Sequence, residues 1–508
     1  MTPAQVAVIG GGLAGITAAI ALAEAGAAVT LLEARPRLGG ATSSFARDGL
    51  VVDTGQHIYL GCCTAYRGLL DKLGMTAHAP LQDRFDVTVL APGSRSAGSR
   101  RTTPRRGRLR RTALPGPLHM LPALGRYPFL SLAERARVSR PALAMRRVDP
   151  DASGADEQRF GDWLAARGQS ERARRALWDL FTVSALNIAG DDASLSLAAT
   201  VVKTGLLGKN NAADIGVPAL PLGELHGDAA ATFLAKHGAQ VLLGAKVTAI
   251  DVNDSAPAAP DDPSRPRFRI RLARPADDAD ATEILADAVV LAVPHDVAAR
   301  LIPPGALPDA TVAGWAGLGA SPIVNVHVIY DRPVTDLPFA AAVDSPVQWV
   351  FDRTRISGLA QRTPQRDARG ADAASGDRGR PQYLAISLSA ADEYVDMPAA
   401  TLREQFVPAL AGLFPAAREA QVTEFFVTRE RRATFRQAPG TARLRPGAAT
   451  RLPGLALAGA WTDTGWPDTM ESAVRSGLAA AIELRRTVLS PGLAPSAPDS
   501  STTIGVGH

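Results

Sequence analysis

The chain has 508 residues, an apolar fraction of 46% and a formal net charge of +5, which gives room for two domains and a large core. The charge is modest and no recognition motif accompanies it, so nucleic acid is not an expected partner. No apolar run approaches membrane-spanning length and no signal-peptide pattern opens the chain, while the two cysteines are the adjacent Cys62 and Cys63, so the expectation is a cytoplasmic protein without a disulfide framework or a metal site.

Residues 5–9 are a short apolar run with β-branched side chains and read as a buried parallel strand. Gly10-Gly11-Gly12-Leu13-Ala14-Gly15 follows at once, and an alanine-rich stretch to Ala25 reads as a helix closed by Gly26. Residues 28–32 form a second expected strand that ends on Glu33. Each part has a task in dinucleotide binding. Gly10 permits the tight turn, Gly12 lets a pyrophosphate approach the backbone, and Gly15 lets the helix pack on the strand. The helix start at Leu13 and Ala14 offers unpaired N–H groups to phosphate. Glu33 is placed to hold the ribose hydroxyls, and its charge argues against a 2′-phosphate. The competing reading is an ordinary glycine-rich turn between strand and helix.

Ala34 and then Arg35-Pro36-Arg37-Leu38-Gly39-Gly40 come directly after that acid. The run resembles the second glycine pair of the FAD-dependent amine oxidase and phytoene desaturase superfamily, which lies against the FAD pyrophosphate. The resemblance implies an α/β fold: a Rossmann-like FAD-binding domain of glutathione reductase type with an interleaved α+β substrate domain. Ala41 stands where the superfamily commonly has arginine. Further on, Asp53-Thr54-Gly55-Gln56-His57 and then Leu60-Gly61-Cys62 resemble one branch more narrowly, the hydroxysqualene dehydroxylases. There this segment runs beside the isoalloxazine ring. The resemblance therefore implies that Gly55, Gln56 and His57 meet the flavin or the substrate, with Gln56, His57 and Tyr59 as the catalytic candidates. His57 would donate a proton, and Tyr59 or Trp466 would stabilise developing positive charge. The competing reading of His57 is a hydrogen-bonded core histidine. Cys62 and Cys63 read as small buried hydrophobes.

Residues 64–73 read as an amphipathic helix and 86–90 as a strand. Residues 92–111 hold Arg100, Arg101, Arg105, Arg106, Arg108, Arg110 and Arg111, and read either as a solvated loop or as a basic patch resting on anionic lipid. Five of the 55 basic residues are lysine, an arginine excess that genome base composition explains as well as function does. Residues 118–147, with Leu121, Tyr127, Phe129, Leu130 and Leu132, are expected to form helices lining an entrance for a lipid substrate. Residues 160–207 are expected to be largely helical, with an apolar cluster at Trp178, Leu180, Phe181, Val183 and Leu186. Residues 185–187 and 214–218 resemble stretches of the dehydroxylase family.

A helix at 225–236 and strands at 247–250, 268–272 and 288–293 are expected to return to the FAD domain, placing Val247 at the adenine end; 253–266 reads as a loop. Residues 323–330, 349–351 and 383–387 read as strands, with a polar, disordered-looking insertion at 354–380. In flavin amine oxidases a strand of this kind carries a lysine that reaches the flavin N5 through water. Asn325 stands at the apparent match, which lowers the expectation of amine oxidation. Arg429, Glu430, Arg431 and Arg432 read as a solvated strand end.

Residues 455–459 read as a strand, followed by Ala460-Trp461-Thr462-Asp463-Thr464-Gly465-Trp466-Pro467 and a helix opening at Met470. This closely resembles the C-terminal FAD signature of hydroxysqualene dehydroxylases. It implies that the helix start faces the flavin O2 region, that Gly459, Met470 and Ala473 contact the cofactor, and that Trp461, Thr462 and Pro467 lie under or beside the ring. Ala460 stands where the family usually has aspartate. The expected organisation is an FAD-binding domain from residues 1–85, 216–300 and 441–488, a substrate domain from 86–215 and 301–440, and a disordered tail from 489 onward. The resemblance further implies FAD as cofactor, reductive removal of the hydroxyl of hydroxysqualene to give squalene, an electron donor it does not specify, and peripheral contact with the inner face of the membrane. A carotenoid-type desaturase, a flavin amine oxidase and a carrier that has lost FAD are the alternatives.

Overall fold

The computed structural model describes residues 3–93, 103–115, 118–152, 154–253, 267–273, 283–362 and 379–489. Its first layer is a five-stranded parallel sheet. Gln5–Ile9 is central, with Val8 opposite Leu31 of Ala28–Glu33 on one side and opposite Val290 of Ala288–Leu291 on the other. Gln240–Leu243 and Leu455–Leu457 close the two edges, both in parallel. Strands of such a sheet are buried on both faces, which is why they read as continuous apolar runs. Val6, Val8, Leu31 and Val290 pack with the helices Leu13–Glu24 and Met470–Leu484, while Ala7, Ile9, Val289 and Leu291 belong to the core on the other side. That second side also takes Ile250, Phe268 and Ile270 of an antiparallel three-stranded sheet, Val247–Val252, Phe268–Leu272 and Glu283–Ala286. The two helices touch at Gly477, where a Cβ would lie 2.3 Å from the Ala14 carbonyl oxygen.

The second layer is a seven-stranded mixed sheet in the order Val422–Thr434, Ser321–Tyr330, Gln382–Leu388, Trp349–Asp352, Phe339–Ala342, Asp86–Ala91 and Arg105–Arg110. Its pairings are antiparallel except between Phe339–Ala342 and Asp86–Ala91. Side chains alternate between faces as strand geometry requires. In Ser321–Tyr330, the side chains of Val324, Val326, Val328 and Tyr330 enter a core shared with the helix Ala399–Leu413, and Ile329 joins Leu50 and Val52 on the opposite face. Among the described residues no helix is long and apolar enough to cross a membrane.

Two expectations are corrected here. The stretch read as a basic loop contains the edge strand Arg105–Arg110, because Gly107 and Leu109 turn inward at alternate positions while the arginines between them face solvent. Three of these arginines are also paired: Arg108 and Arg110 with Asp86, and Arg111 with Asp214. Arg100 and Arg101 lie outside the described residues, as do most of the expected loop at 253–266, most of the insertion at 354–380 and the tail from 490. The charges at 429–432 do not end a strand but sit inside Val422–Thr434, where Arg431 pairs with Asp396 and Arg432 with Asp296.

Candidate active site

The glycine turn is built by crowding. Gly10 has φ +107°, and a Cβ there would lie 2.3 Å from the Ala292 carbonyl oxygen. The Gly39 N–H donates to the Gly11 carbonyl at 2.8 Å, laying the second glycine pair against the first. A Cβ on Gly40 would come 3.0 Å from the Gly12 Cα, whereas a Cβ on Gly12 would meet nothing closer than 4.0 Å. The helix Leu13–Glu24 starts at Gly12 with no side-chain cap, so its first N–H groups stay free. Glu33 is buried, and its carboxylate accepts from Gly11 N at 2.6 Å and Arg35 N at 2.8 Å. An open backbone cleft, free N–H groups and a fixed buried carboxylate together fit a dinucleotide pyrophosphate and ribose. Ala34 and Arg35 are exposed beside that acid, and Ala245 N donates to the Glu33 carbonyl, bringing the buried Val247 to the same end. Ala41 is exposed, its carbonyl accepting from Thr54 Oγ1 at 2.6 Å.

The C-terminal segment meets the same turn. Ala292, which crowds Gly10, is followed by Val293, whose carbonyl accepts from the Trp461 indole N–H at 2.8 Å. Gly459 N donates to Ser476 Oγ at 2.9 Å, tying the strand end to the helix Met470–Leu484. Met470 and Ala473 are partly exposed on the first turn of that helix. Trp461 is tightly packed. Its ring is buried against Trp315, with centroids 4.8 Å apart, and its N–H is already committed. Thr462 is buried too, and its hydroxyl donates to the Gly459 carbonyl at 2.9 Å, closing a turn. Pro467 is also buried.

A third group of residues converges from the first segment and the second layer. Gln56 Oε1, His57 Nδ1 and Asn325 Oδ1 are buried without a hydrogen-bond partner among the described residues. Asn325 Nδ2 donates to the Thr54 carbonyl at 3.3 Å, so the strand Ser321–Tyr330 docks on the loop that carries Gln56 and His57. Orphaned buried acceptors gathered in one place mark a position where a ligand completes the hydrogen bonding. His57 folds over Gly55, where a Cβ would sit 3.0 Å from its Cε1. Burial lowers its pKa below the usual imidazole value, opposed by the Gly55 backbone and the Asp53 charge, while Arg353 adds to the drop. The ring is therefore neutral at pH 7. Asp53 anchors this loop from beneath: it is buried, accepts from Ser44 Oγ at 2.6 Å and Leu222 N at 3.0 Å, and pairs with the buried Arg353.

Tyr59, one of the catalytic candidates, is held firmly by its neighbours. Its hydroxyl donates to the Ala79 carbonyl, and its ring is buried edge-on to Tyr66, 5.1 Å between centroids. A Cβ on Gly216 would lie 2.1 Å from the same ring. Trp466 stays partly exposed with the Arg475 guanidinium 5.0 Å from its ring centroid. Cys62 and Cys63 are partly exposed before the helix Thr64–Lys72, not buried as expected.

Sequence reading missed Arg445. This buried guanidinium donates to the carbonyls of Trp461, Thr462 and Trp466 at 3.2, 2.6 and 2.7 Å. It thus clamps the loop between strand and helix in the C-terminal signature. Beside it, burial raises the Asp468 pKa to about 6, against the pull of a hydrogen bond from Phe435 N and of the Arg445 charge. A guanidinium satisfied by main-chain carbonyls has no partner at a fixed spacing, so no motif announces it.

The fold and the glycine-turn cleft define the class, an FAD-dependent oxidoreductase. The family model described as flavin containing amine oxidoreductase matches residues 13–484, and the chain belongs to that family. Hydroxysqualene dehydroxylases of Rhodopseudomonas palustris and Sinorhizobium fredii are 28% and 27% identical to it, over 93% and 94% of this chain and 96% and 98% of theirs. A zeta-carotene desaturase of Zea mays is 25% identical over 93% of this chain and 82% of its own. Among solved structures, putrescine oxidase bound to putrescine superposes with a TM-score of 0.65 at 20% identity, covering 95% of this chain and 99% of that one.

Proposed function

We propose that the protein converts hydroxysqualene to squalene with reducing equivalents from reduced FAD. The observation that carries this reading is the end-to-end similarity to two hydroxysqualene dehydroxylases. The site supports it: the position facing the Thr54–His57 loop is the uncharged Asn325 rather than a lysine. An uncharged, apolar substrate needs a pocket without unpaired charge.

In the overall reaction a hydride replaces the hydroxyl and a proton leaves with it as water. Reduced FAD supplies the hydride when bound. The chain's own residues position and protonate. Gly12 and Gly40 hold the pyrophosphate against bare backbone, Glu33 fixes the ribose, and the Met470–Leu484 helix start lends its positive end. His57 is the only ionisable side chain among the three orphaned groups. As proton donor it takes up a proton from solvent and holds it on the imidazole ring near the departing oxygen. Asp53 and Arg353 keep its loop in place.

Anaerobic incubation with hydroxysqualene, FAD and dithionite, followed by gas chromatography, is expected to give squalene. Failure to form squalene with flavin-loaded protein overturns the reading. The similarity to zeta-carotene desaturase over 93% of this chain favours a second one, dehydrogenation of a polyene. It requires oxidised flavin, so the same assay with an added electron acceptor separates the two.

A further inference from the structure

Ten large apolar side chains are exposed among the described residues, and five of them, Leu114, Leu118, Leu121, Leu132 and Leu143, fall in one stretch. The elements that carry them touch: the short helix Leu121–Gly125 packs on the strand Arg105–Arg110, on the turn Leu118–Met120 and on the helix Leu132–Met145. The last helix shows the pattern most clearly. Val138, Pro141 and Met145 are its buried side. Leu132, Ala136 and Leu143 lie outward at helical spacing, with Leu132 79% and Leu143 59% exposed. An apolar stripe on the solvent side of a helix is the reverse of what a monomer in water requires.

The charges around it have one sign. Arg137, Arg140, Arg146 and Arg147 are exposed and form no ion pair among the described residues, unlike Arg108, Arg110 and Arg111. The helix has one acid, Glu134, and it is taken up by Ser131 of the capping box and by Ser170 Oγ. The next acids, Asp149 and Asp151, sit in the turn beyond the helix. A second copy of this chain is a poor occupant, because a two-fold contact would set these arginines against their own counterparts.

We propose that residues 118–147 are the membrane-docking face of the protein. Leu118, Leu121, Leu132 and Leu143 enter the boundary between headgroups and acyl chains of an anionic bilayer, and Arg137, Arg140, Arg146 and Arg147 rest on its phosphates. The inference goes beyond the proposed reaction by fixing where a substrate dissolved in lipid meets the protein, and it moves the basic patch from residues 92–111 to this helix.

The test uses full-length, FAD-loaded protein in co-sedimentation with vesicles of phosphatidylcholine alone or mixed equally with phosphatidylglycerol. Binding is expected to be at least tenfold stronger to the anionic vesicles and to weaken as salt rises. Leu132→Glu with Leu143→Glu is expected to lower anionic binding at least tenfold, as is Arg137→Glu with Arg140→Glu, with flavin absorbance and melting temperature unchanged in both. Wild-type protein that stays in solution overturns the proposal, and so do variants that bind as the wild type does. A dimer in size-exclusion chromatography that the leucine variant dissociates assigns the face to a second copy and overturns it as well. Squalene formation from detergent-dispersed substrate tests the reaction separately.

Discussion

His57 is a neutral ring at pH 7 because burial outweighs the groups that favour its charge. If it supplies the proton, the rate depends on the fraction that is charged, and that fraction grows as pH falls through the lowered pKa. Single-turnover squalene formation is therefore expected to rise as pH drops below 6.5, and His57→Gln to flatten the profile and slow the step about 10²–10⁴-fold. A wild-type rate that ignores pH in this range removes His57 from the role. His226 makes a separate prediction about stability. It is buried, with Nε2 2.8 Å from the Tyr66 hydroxyl and Nδ1 3.2 Å from the Thr42 carbonyl. Burial lowers its pKa from 6.5 to about 4. The unfolded chain then binds a proton at a higher pH than the folded one, so this contribution is present above pH 6.5 and is lost as pH falls toward 4. Urea unfolding is expected to show the wild type losing about 3 kcal/mol relative to His226→Gln across that window.

At the scale of elements, the helix crossing at Gly477 tolerates no side chain. Gly477→Ala puts a Cβ 2.3 Å from the Ala14 carbonyl and is expected to cost about 1–3 kcal/mol and to weaken FAD retention. Gly68→Ala is the contrast: it lies exposed in the helix Thr64–Lys72 with nothing within 4 Å, and a gain of about 0.5–1 kcal/mol is expected in the same melting experiment. Removing Asp53 strands the Arg353 guanidinium in the interior, so Asp53→Leu is expected to lose about 3–5 kcal/mol, and the Asp53→Leu/Arg353→Met pair less. What could be read beforehand follows the same physics. The glycine turn and Glu33 are recognisable because a pyrophosphate and a ribose demand those residue types at a set spacing. The strand Arg105–Arg110 was hidden because arginine repeats mask the inward Gly107 and Leu109. Tyr59 and Trp461 sit in motifs that resemble flavin contacts, yet a motif does not say how deeply a ring packs, and both are buried.

For the whole molecule, hydrogen bonds and close packing join stretches far apart in sequence: the first glycine turn, the loop at 39–57, the strand Ser321–Tyr330 and the signature around Trp461. A cofactor that bridges them stabilises only the folded chain. Stripping FAD is expected to lower the melting temperature, and restoring it at about a thousandfold over its dissociation constant to return about 4 kcal/mol. An unchanged transition argues against binding in the glycine-turn cleft.

The order of strands in the parallel sheet also dictates how the protein is born. Its edge strand Leu455–Leu457 pairs with Ala288–Leu291, which itself lies against the very first strand. Once Ala288–Leu291 has been made, the ribosome at typical elongation speeds needs on the order of 10–30 seconds more to deliver that last strand. Until then the outer edge of Ala288–Leu291 presents unpaired backbone N–H and carbonyl groups, inviting chaperones or self-association. Moving residues 455–489 ahead of Gln5 by circular permutation would shorten that wait, and soluble yield on overexpression should rise accordingly.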